Sequence, residues 1–234
     1  MIETVKRIDD AIKNNQQIIH SVVNSNKILL MRDDDFVRKS VLESDIISAD
    51  GQSVVWASRF LKSPLPERVT GIDLMQNLIT LAAEKKYKVF LLGAKEGVVS
   101  KLAKIYSKKY SSDIIAGYSN GYYTDDEERS IADKISKSGA DMLFIGIESP
   151  KKEYFIIRNK KILKNVNFIM GVGGSFDVIA GLRKRAPRTF QKLGLEWLYR
   201  FLQEPRRLWK RYLLGNSRFI YIVIRKKITS LFIR

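Results

Sequence analysis

Six short apolar runs, Ile18 to Val23, Asp45 to Ser48, Lys88 to Leu92, Asp113 to Ala116, Met142 to Ile147 and Asn167 to Met170, punctuate the chain, with helical patterns between most of them. Runs of this length are what strands buried on both faces require. In one intervening segment Ile72, Met75, Leu78, Ile79 and Ala82 recur at spacings of three and four, as an amphipathic helix demands. Strands alternating with helices predict an α/β fold, a mostly parallel sheet with helices on both faces. Such sheets take their ligands at the carboxyl ends of the strands. Four strand ends carry suitable residues: Asn24-Ser25-Asn26, Asp50-Gly51, Gly93-Ala94-Lys95 and Gly171 to Gly174. After Pro187 the strand signal fades, and Leu193 to Phe201 and Pro205 to Leu213 predict two helices, Pro205 being suited to a helix start. The expected organisation is an α/β core over residues 1–189 and a helical, basic appendage over 190–234.

With 234 residues and 45% hydrophobic side chains the chain can bury a full core. It has no cysteine, so neither disulfides nor a thiolate nucleophile or metal site is available. Met1 to Lys6 lacks the basic and apolar regions of a signal peptide, and a cytoplasmic protein is expected. The net charge of +17 is uneven: from Arg183 to Arg234 fifteen Lys or Arg stand against only Glu196 and Glu204. A basic segment interleaved with aromatic residues attracts nucleic acid, anionic lipid or a diphosphate, and charge alone does not choose among them. Phe219 to Ile224 is too short to span a bilayer but suited to lying on one, as part of an appendage that orders on membrane contact.

Asp50, at the end of an apolar run, is placed to be a partly desolvated general base; as a carboxylate before a helical segment it is equally suited to capping Gln52 to Phe60. Arg68 follows two prolines that stiffen its loop, and either clamps a phosphate or pairs with a surface acid such as Glu67. Gly171, Gly173 and Gly174 permit close approach of a diphosphate to the backbone, and Asp177 is placed to accept hydrogen bonds from a ribose or base. Asp33-Asp34-Asp35 looks like a metal-binding carboxylate cluster, but no apolar strand leads directly into it and a helical segment, Phe36 to Leu42, follows, so it reads as a helix start and no metal is expected. His20 falls inside a strand and is expected in the core or at an edge. Trp197 and Trp209 are expected to serve packing before ligand contact.

The sequence resembles the WecG/TagA/CpsF family of bacterial glycosyltransferases. The resemblance is carried by Ala49-Asp50-Gly51 through Arg59, Pro64 to Met75, Leu91 to Ala94, Gly117-Tyr118 to Tyr123, Ser149 to Glu153, Gly171 to Asp177, and Gly194 to Arg200 with Glu204 to Arg207. It implies a Rossmann-like core whose C-terminal helical appendage completes the site at the cytoplasmic membrane face. It also implies an inverting, metal-independent enzyme without a cofactor, taking a UDP-sugar as donor and an undecaprenyl-diphosphate-linked glycan as acceptor. N-acetylmannosamine, N-acetylmannosaminuronic acid and hexoses such as glucose are the implied sugars. On the matching positions Asp50 is the implied base and Arg68 a pocket residue. Arg200 and Arg207, with Lys210 or Arg211, are the implied appendage cations that reach the diphosphate. Asn24, Asn26, Gly51, Gly93, Tyr123, Lys152, Gly171, Gly173, Gly174 and Asp177 complete the expected substrate-binding set.

The chain departs from the family pattern where Pro150-Lys151-Lys152-Glu153 replaces Pro-Lys-Gln-Glu and Gly146-Ile147-Glu148 replaces Gly-Leu-Gly, which suggests a Lys152–Glu148 pair. The competing reading is a nucleic-acid-binding module built on the basic tail, and the ordered motifs favour an enzyme with no nucleic-acid partner. A nicotinamide oxidoreductase is disfavoured because no Gly-x-Gly-x-x-Gly follows the first strand. Donor identity and homo-oligomerisation are left open by the sequence.

Overall fold

The computed structural model describes residues 1–232. Helix α1 (Ile2–Lys13) leads into β1 (Ile18–Val23), α2 (Ser25–Asp33), α3 (Asp35–Leu42), β2 (Ile46–Ala49) and α4 (Gln52–Phe60). There follow α5 (Gly71–Lys85), β3 (Val89–Gly93), α6 (Glu96–Lys109), β4 (Ile115–Ser119), α7 (Asp125–Lys137), β5 (Met142–Gly146), α8 (Lys151–Asn159) and β6 (Phe168–Gly171). The six strands form one sheet in the order β2-β1-β6-β5-β3-β4, and every pairing is parallel. All carboxyl ends therefore open on one edge of the sheet.

Both faces of the sheet are covered, and alternate residues of each strand serve opposite cores. Ile18, Val89, Leu91, Met142, Phe144, Phe168 and Met170 pack with Ile8 of α1, Leu74 to Ala82 of α5 and Val99 and Leu102 of α6. Ile19, Phe90, Leu92, Leu143, Ile145 and Ile169 pack with Ala132 and Ile135 of α7 and Phe155 and Ile156 of α8. The predicted strands recur within one residue at most ends. The fourth begins two residues later, because Ser112–Ile114 first makes a 3-10 turn.

His20 is a core residue, 1% exposed. Its Nε2 lies 2.9 Å from Ser48 Oγ, and burial depresses its pKa to about 4, so the ring is neutral. Asp34 caps α3, accepting from the N–H groups of Phe36 and Val37 at 3.0 Å each. The triple-aspartate stretch is thus a helix start.

Beyond β6, short helices α9 (Ser175–Ile179) and α10 (Arg188–Lys192) lead to α11 (Glu196–Gln203) and α12 (Pro205–Trp209). A π-helical segment (Lys210–Leu214) then joins α12 to α13 (Gly215–Phe232). α13 packs on α2. Arg218 makes a two-pronged pair with Asp33 at 2.6 and 2.7 Å, Asn216 meets Ser25 at 3.3 Å, and Phe219 is buried. Among the described residues no helix is long and apolar enough to cross a membrane.

Candidate active site

The register of β1 on β2 pairs Val23 with Ala49, so the residues that follow them, Asn24 and Asp50, leave the sheet side by side. The backbone N–H of Asp50 still donates to the Val23 carbonyl at 3.0 Å. Gly51, not Asp50, is the N-cap of α4, and no side chain caps that helix. The helix-cap alternative for Asp50 is thereby removed, and its carboxylate is left to the crevice. The next loop turns back along β2, with Val69 N–H donating to the Ala49 carbonyl at 3.0 Å. This brings Arg68 over Asp50. Its Nε donates to the Asp50 backbone carbonyl, and its Nη2 lies 3.9 Å from the Asp50 carboxylate. Glu67 pairs instead with the N-terminal amine.

A residue that sequence reasoning missed completes this cluster. Glu196, at the first turn of α11, is 7% exposed. One carboxylate oxygen takes Arg68 Nη2 at 2.7 Å and the other takes Arg200 Nη2 at 3.0 Å. Its partner Arg68 lies 128 residues away in sequence, so no local pattern could have found it. Next to the cluster Asp73 holds Arg185 at 2.6 Å, which ties the Arg185-Ala186-Pro187 stretch to the start of α5.

Around these groups lies a cavity of about 530 Å³. One end is polar, with Asn24, Asn26, Asp50, Gly51, Arg68, Glu196, Arg200 and Arg211; the other is lined by Trp56 and Phe60 of α4 and by Phe219, Ile220, Val223 and Ile224 of α13. The Asp50 side chain keeps 30% of its surface accessible, and Asp50 lines this cavity. Desolvation raises its pKa, against the opposing influence of Arg68 and Arg200 and with a smaller upward push from Glu196. Glu196, by contrast, is held ionised: desolvation pushes its pKa up, but Arg200 and Arg68 together lower it below the ordinary value.

The remaining predicted residues divide into two groups. Gly93, Gly171, Gly173 and Gly174 sit at the same sheet edge but at the ends of β3 and β6, outside this cavity. Gly93, at φ +138°, is demanded by close packing: a Cβ there would lie 2.5 Å from the Gly146 backbone. Lys152 lies across Gly171, where a Cβ would meet its side chain at 2.7 Å. Lys152 does not pair with Glu148; it lies 3.4 Å from Glu153, and Glu148 is taken by Arg207 at 2.7 Å. That pair, with a second to Glu204 at 2.8 Å, turns Arg207 towards the loop after β5 and away from the cavity lining. Asp177 faces Arg183 at 3.5 Å. Lys210 is exposed and lies over the Trp209 ring at 5.6 Å, so it does not join Arg200 and Arg211 at the cavity. Tyr123 belongs to the core, 8% exposed and packed on Phe155, its hydroxyl turned inward without a partner.

Among the described residues no three or more His, Asp or Glu side chains are grouped so as to hold a metal ion. A family model described as the glycosyl transferase WecG/TagA/CpsF family matches residues 1–231. Over 193 residues the chain is 37% identical to an N-acetylglucosaminyldiphosphoundecaprenol N-acetyl-beta-D-mannosaminyltransferase of Bacillus spizizenii strain W23, covering 82% of this chain and 73% of that protein. It is 39% identical over 170 residues to the protein of the same description from Bacillus subtilis strain 168, covering 73% of this chain and 65% of that protein.

Proposed function

This chain belongs to the WecG/TagA/CpsF family of glycosyl transferases, and we propose that it moves N-acetylmannosamine or a related sugar from a UDP donor onto an undecaprenyl-diphosphate-linked N-acetylglucosamine, with inversion and without a metal. The observation that carries this reading is the desolvated Asp50 carboxylate beside Arg68, in a cavity with a cationic end and an apolar end.

In a single displacement Asp50 takes the proton of the acceptor hydroxyl as that oxygen bonds to the anomeric carbon. The bond from that carbon to the UDP phosphate oxygen breaks, and the electron pair leaves with UDP. A carboxylate with a raised pKa is the stronger base for this step. Charge that develops on the leaving group is met by guanidinium groups and backbone N–H donors, in the place a metal would otherwise take. Arg68 is fixed for that role by Glu196, and Arg200 and Arg211 bring cations from the appendage. The apolar walls from α4 and α13 suit the first isoprene units of the acceptor lipid.

The outer face of the appendage supports work at a membrane surface. Leu202, Trp209, Leu213, Leu214, Tyr221 and Ile228 are exposed on it, alongside Arg206 and Lys210. The enzyme is proposed to sit peripherally on the cytoplasmic face of the membrane. A nucleic-acid interface is disfavoured, since Arg183, Arg185, Arg207 and Arg218 are each spent on a carboxylate of this chain.

The test is turnover of UDP-N-acetylmannosamine with a short-chain prenyl-diphosphate N-acetylglucosamine, in the presence of EDTA. Asp50→Asn is expected to lower kcat by about 10²- to 10⁴-fold while UDP binding persists. Undiminished turnover by that variant removes Asp50 as the base.

A further inference from the structure

A second cluster of charged groups lies at the same sheet edge and takes no part in the chemistry above. Lys27, in the first turn of α2, is 5% exposed, and Glu153, in the first turn of α8, is 3% exposed. Their ammonium and carboxylate are in direct contact. Lys27 Nζ also donates to Ser149 Oγ at 2.8 Å, and Lys152 Nζ donates to the same oxygen at 2.6 Å. Two ammonium groups thus converge on one hydroxyl, with a single carboxylate to balance them.

The hydrogen-bond inventory is unequal in the same direction. Ser149 accepts from both lysines and passes its own proton to Glu153 Oε1 at 3.2 Å, so its capacity is full. Each ammonium carries three N–H donors and, among the described residues, spends them only on Ser149 and Glu153. The cluster keeps a surplus positive charge and unspent donors in a buried place, an arrangement that costs free energy until an anion joins it. The strain is visible in Lys27, whose pKa falls to about 8 through burial first and the neighbouring Lys152 second, against the pull of Glu153. Glu153 Oε2 is likewise buried and, among the described residues, without a hydrogen-bond partner.

We propose that Lys27 and Lys152, meeting at Ser149 beside the end of β6, bind an anionic group of the donor substrate: a phosphate of its diphosphate or a carboxylate on its sugar. The position fits, because Lys152 lies across Gly171 and Asn24 and Asn26, immediately before Lys27, line the cavity of Asp50. The site therefore adjoins the start of α2, which lines the cavity of the proposed base. This inference rests on the reading of the protein as a UDP-sugar transferase.

The experiment titrates the full chain, as wild type, Lys152→Gln and Lys27→Gln, with uridine, UDP, UDP-glucose and UDP-glucuronate by calorimetry. If the anion is the diphosphate, the preference for UDP over uridine is expected to fall about tenfold in both variants, as for loss of one charged hydrogen bond. If it is a sugar carboxylate, that preference holds and the preference for UDP-glucuronate over UDP-glucose collapses instead. Ratios of affinities within one variant are independent of its folded fraction. Should Lys27→Gln fail to fold, Lys152→Gln, which leaves the Lys27–Glu153 pair in place, decides alone. Unchanged ratios in a wild type and variants that all bind UDP overturn the lysine site and leave the transferase reading standing. A wild type that binds none of the four ligands overturns both.

Discussion

Two charged clusters sit at one edge of the sheet, and they are built differently. At the ends of β1 and β2, Asp50, Arg68, Glu196 and Arg200 balance two acids with two bases, and half of the cluster comes from the appendage. Near the end of β6, Lys27, Lys152 and Glu153 leave one positive charge over, and every member comes from the core. A balanced cluster can hold arginines in place before any ligand arrives; an unbalanced one waits for an anion. The first therefore suits proton transfer and positioning, the second recognition. The same contrast explains how a helix distant in sequence matters to the reaction: Glu196 couples the position of α11 to the placement of Arg68.

The largest effect that would break this contrast is on the balanced side. Asp50→Asn is expected to keep only about 10⁻² to 10⁻⁴ of the wild-type kcat yet to be at least as stable as wild type at neutral pH. Its folded pKa is raised, so between the unfolded value and the folded one the native state binds the extra proton, and ionisation above that window costs stability. A clear fall in the urea midpoint of this variant would show that the carboxylate is structural. Arg68→Ala is expected to lose about 2 to 4 kcal/mol of transition-state stabilisation, read as kcat in steady-state turnover. A variant affecting KM alone would restrict Arg68 to substrate binding.

His20 supplies a control in the core beneath the site. Its pKa is lowered to about 4, so the unfolded state takes up a proton near pH 6.5 that the folded state refuses. Its contribution is fully present above that pH and is lost as pH falls towards 4. It amounts to roughly 3 kcal/mol. Denaturant midpoints of wild type and His20→Leu at pH 7 and pH 5 should show the wild type losing more; parallel losses would contradict the assignment. A smaller effect is expected of Glu196→Gln. Removing a negative charge that pushes the Asp50 pKa up should move the acid limb of the rate profile to lower pH, with kcat down about tenfold as Arg68 loses its anchor. An unmoved limb would uncouple the appendage from the base. At the small end, Arg218→Ala breaks an exposed pair with Asp33 and should leave the melting temperature unchanged, because such pairs contribute little.

Much of this was legible in the sequence, for physical reasons. Strands buried on both faces must be apolar throughout, and so the runs at Ile18, Met142 and Asn167 marked their elements almost to the residue. Asp50 and Arg68 stood out as candidates at a strand end and in a proline-stiffened loop, each with a structural alternative on the residues alone, and it was the resemblance that singled them out. What stayed hidden depends on partners far along the chain. Lys27 reads as one more surface lysine until Glu153, 126 residues on, is brought to it. The run from Phe219 to Ile224, rich in β-branched residues, reads as an interfacial segment. Its helix is set by packing on α2 and by the burial of Phe219, where tertiary contact overrides propensity. Tyr123 shows the converse: a motif position that looked like a ligand contact is fixed by the core.

The most direct test of the account is the pH dependence of kcat/KM for the wild-type enzyme with saturating acceptor. The account predicts a rate that falls on the acid side with the titration of a single group whose pKa lies above the ordinary aspartate value near 3.8, and a limb that vanishes in Asp50→Asn. A profile flat down to the ordinary carboxylate range, or the same limb persisting in that variant, would contradict it.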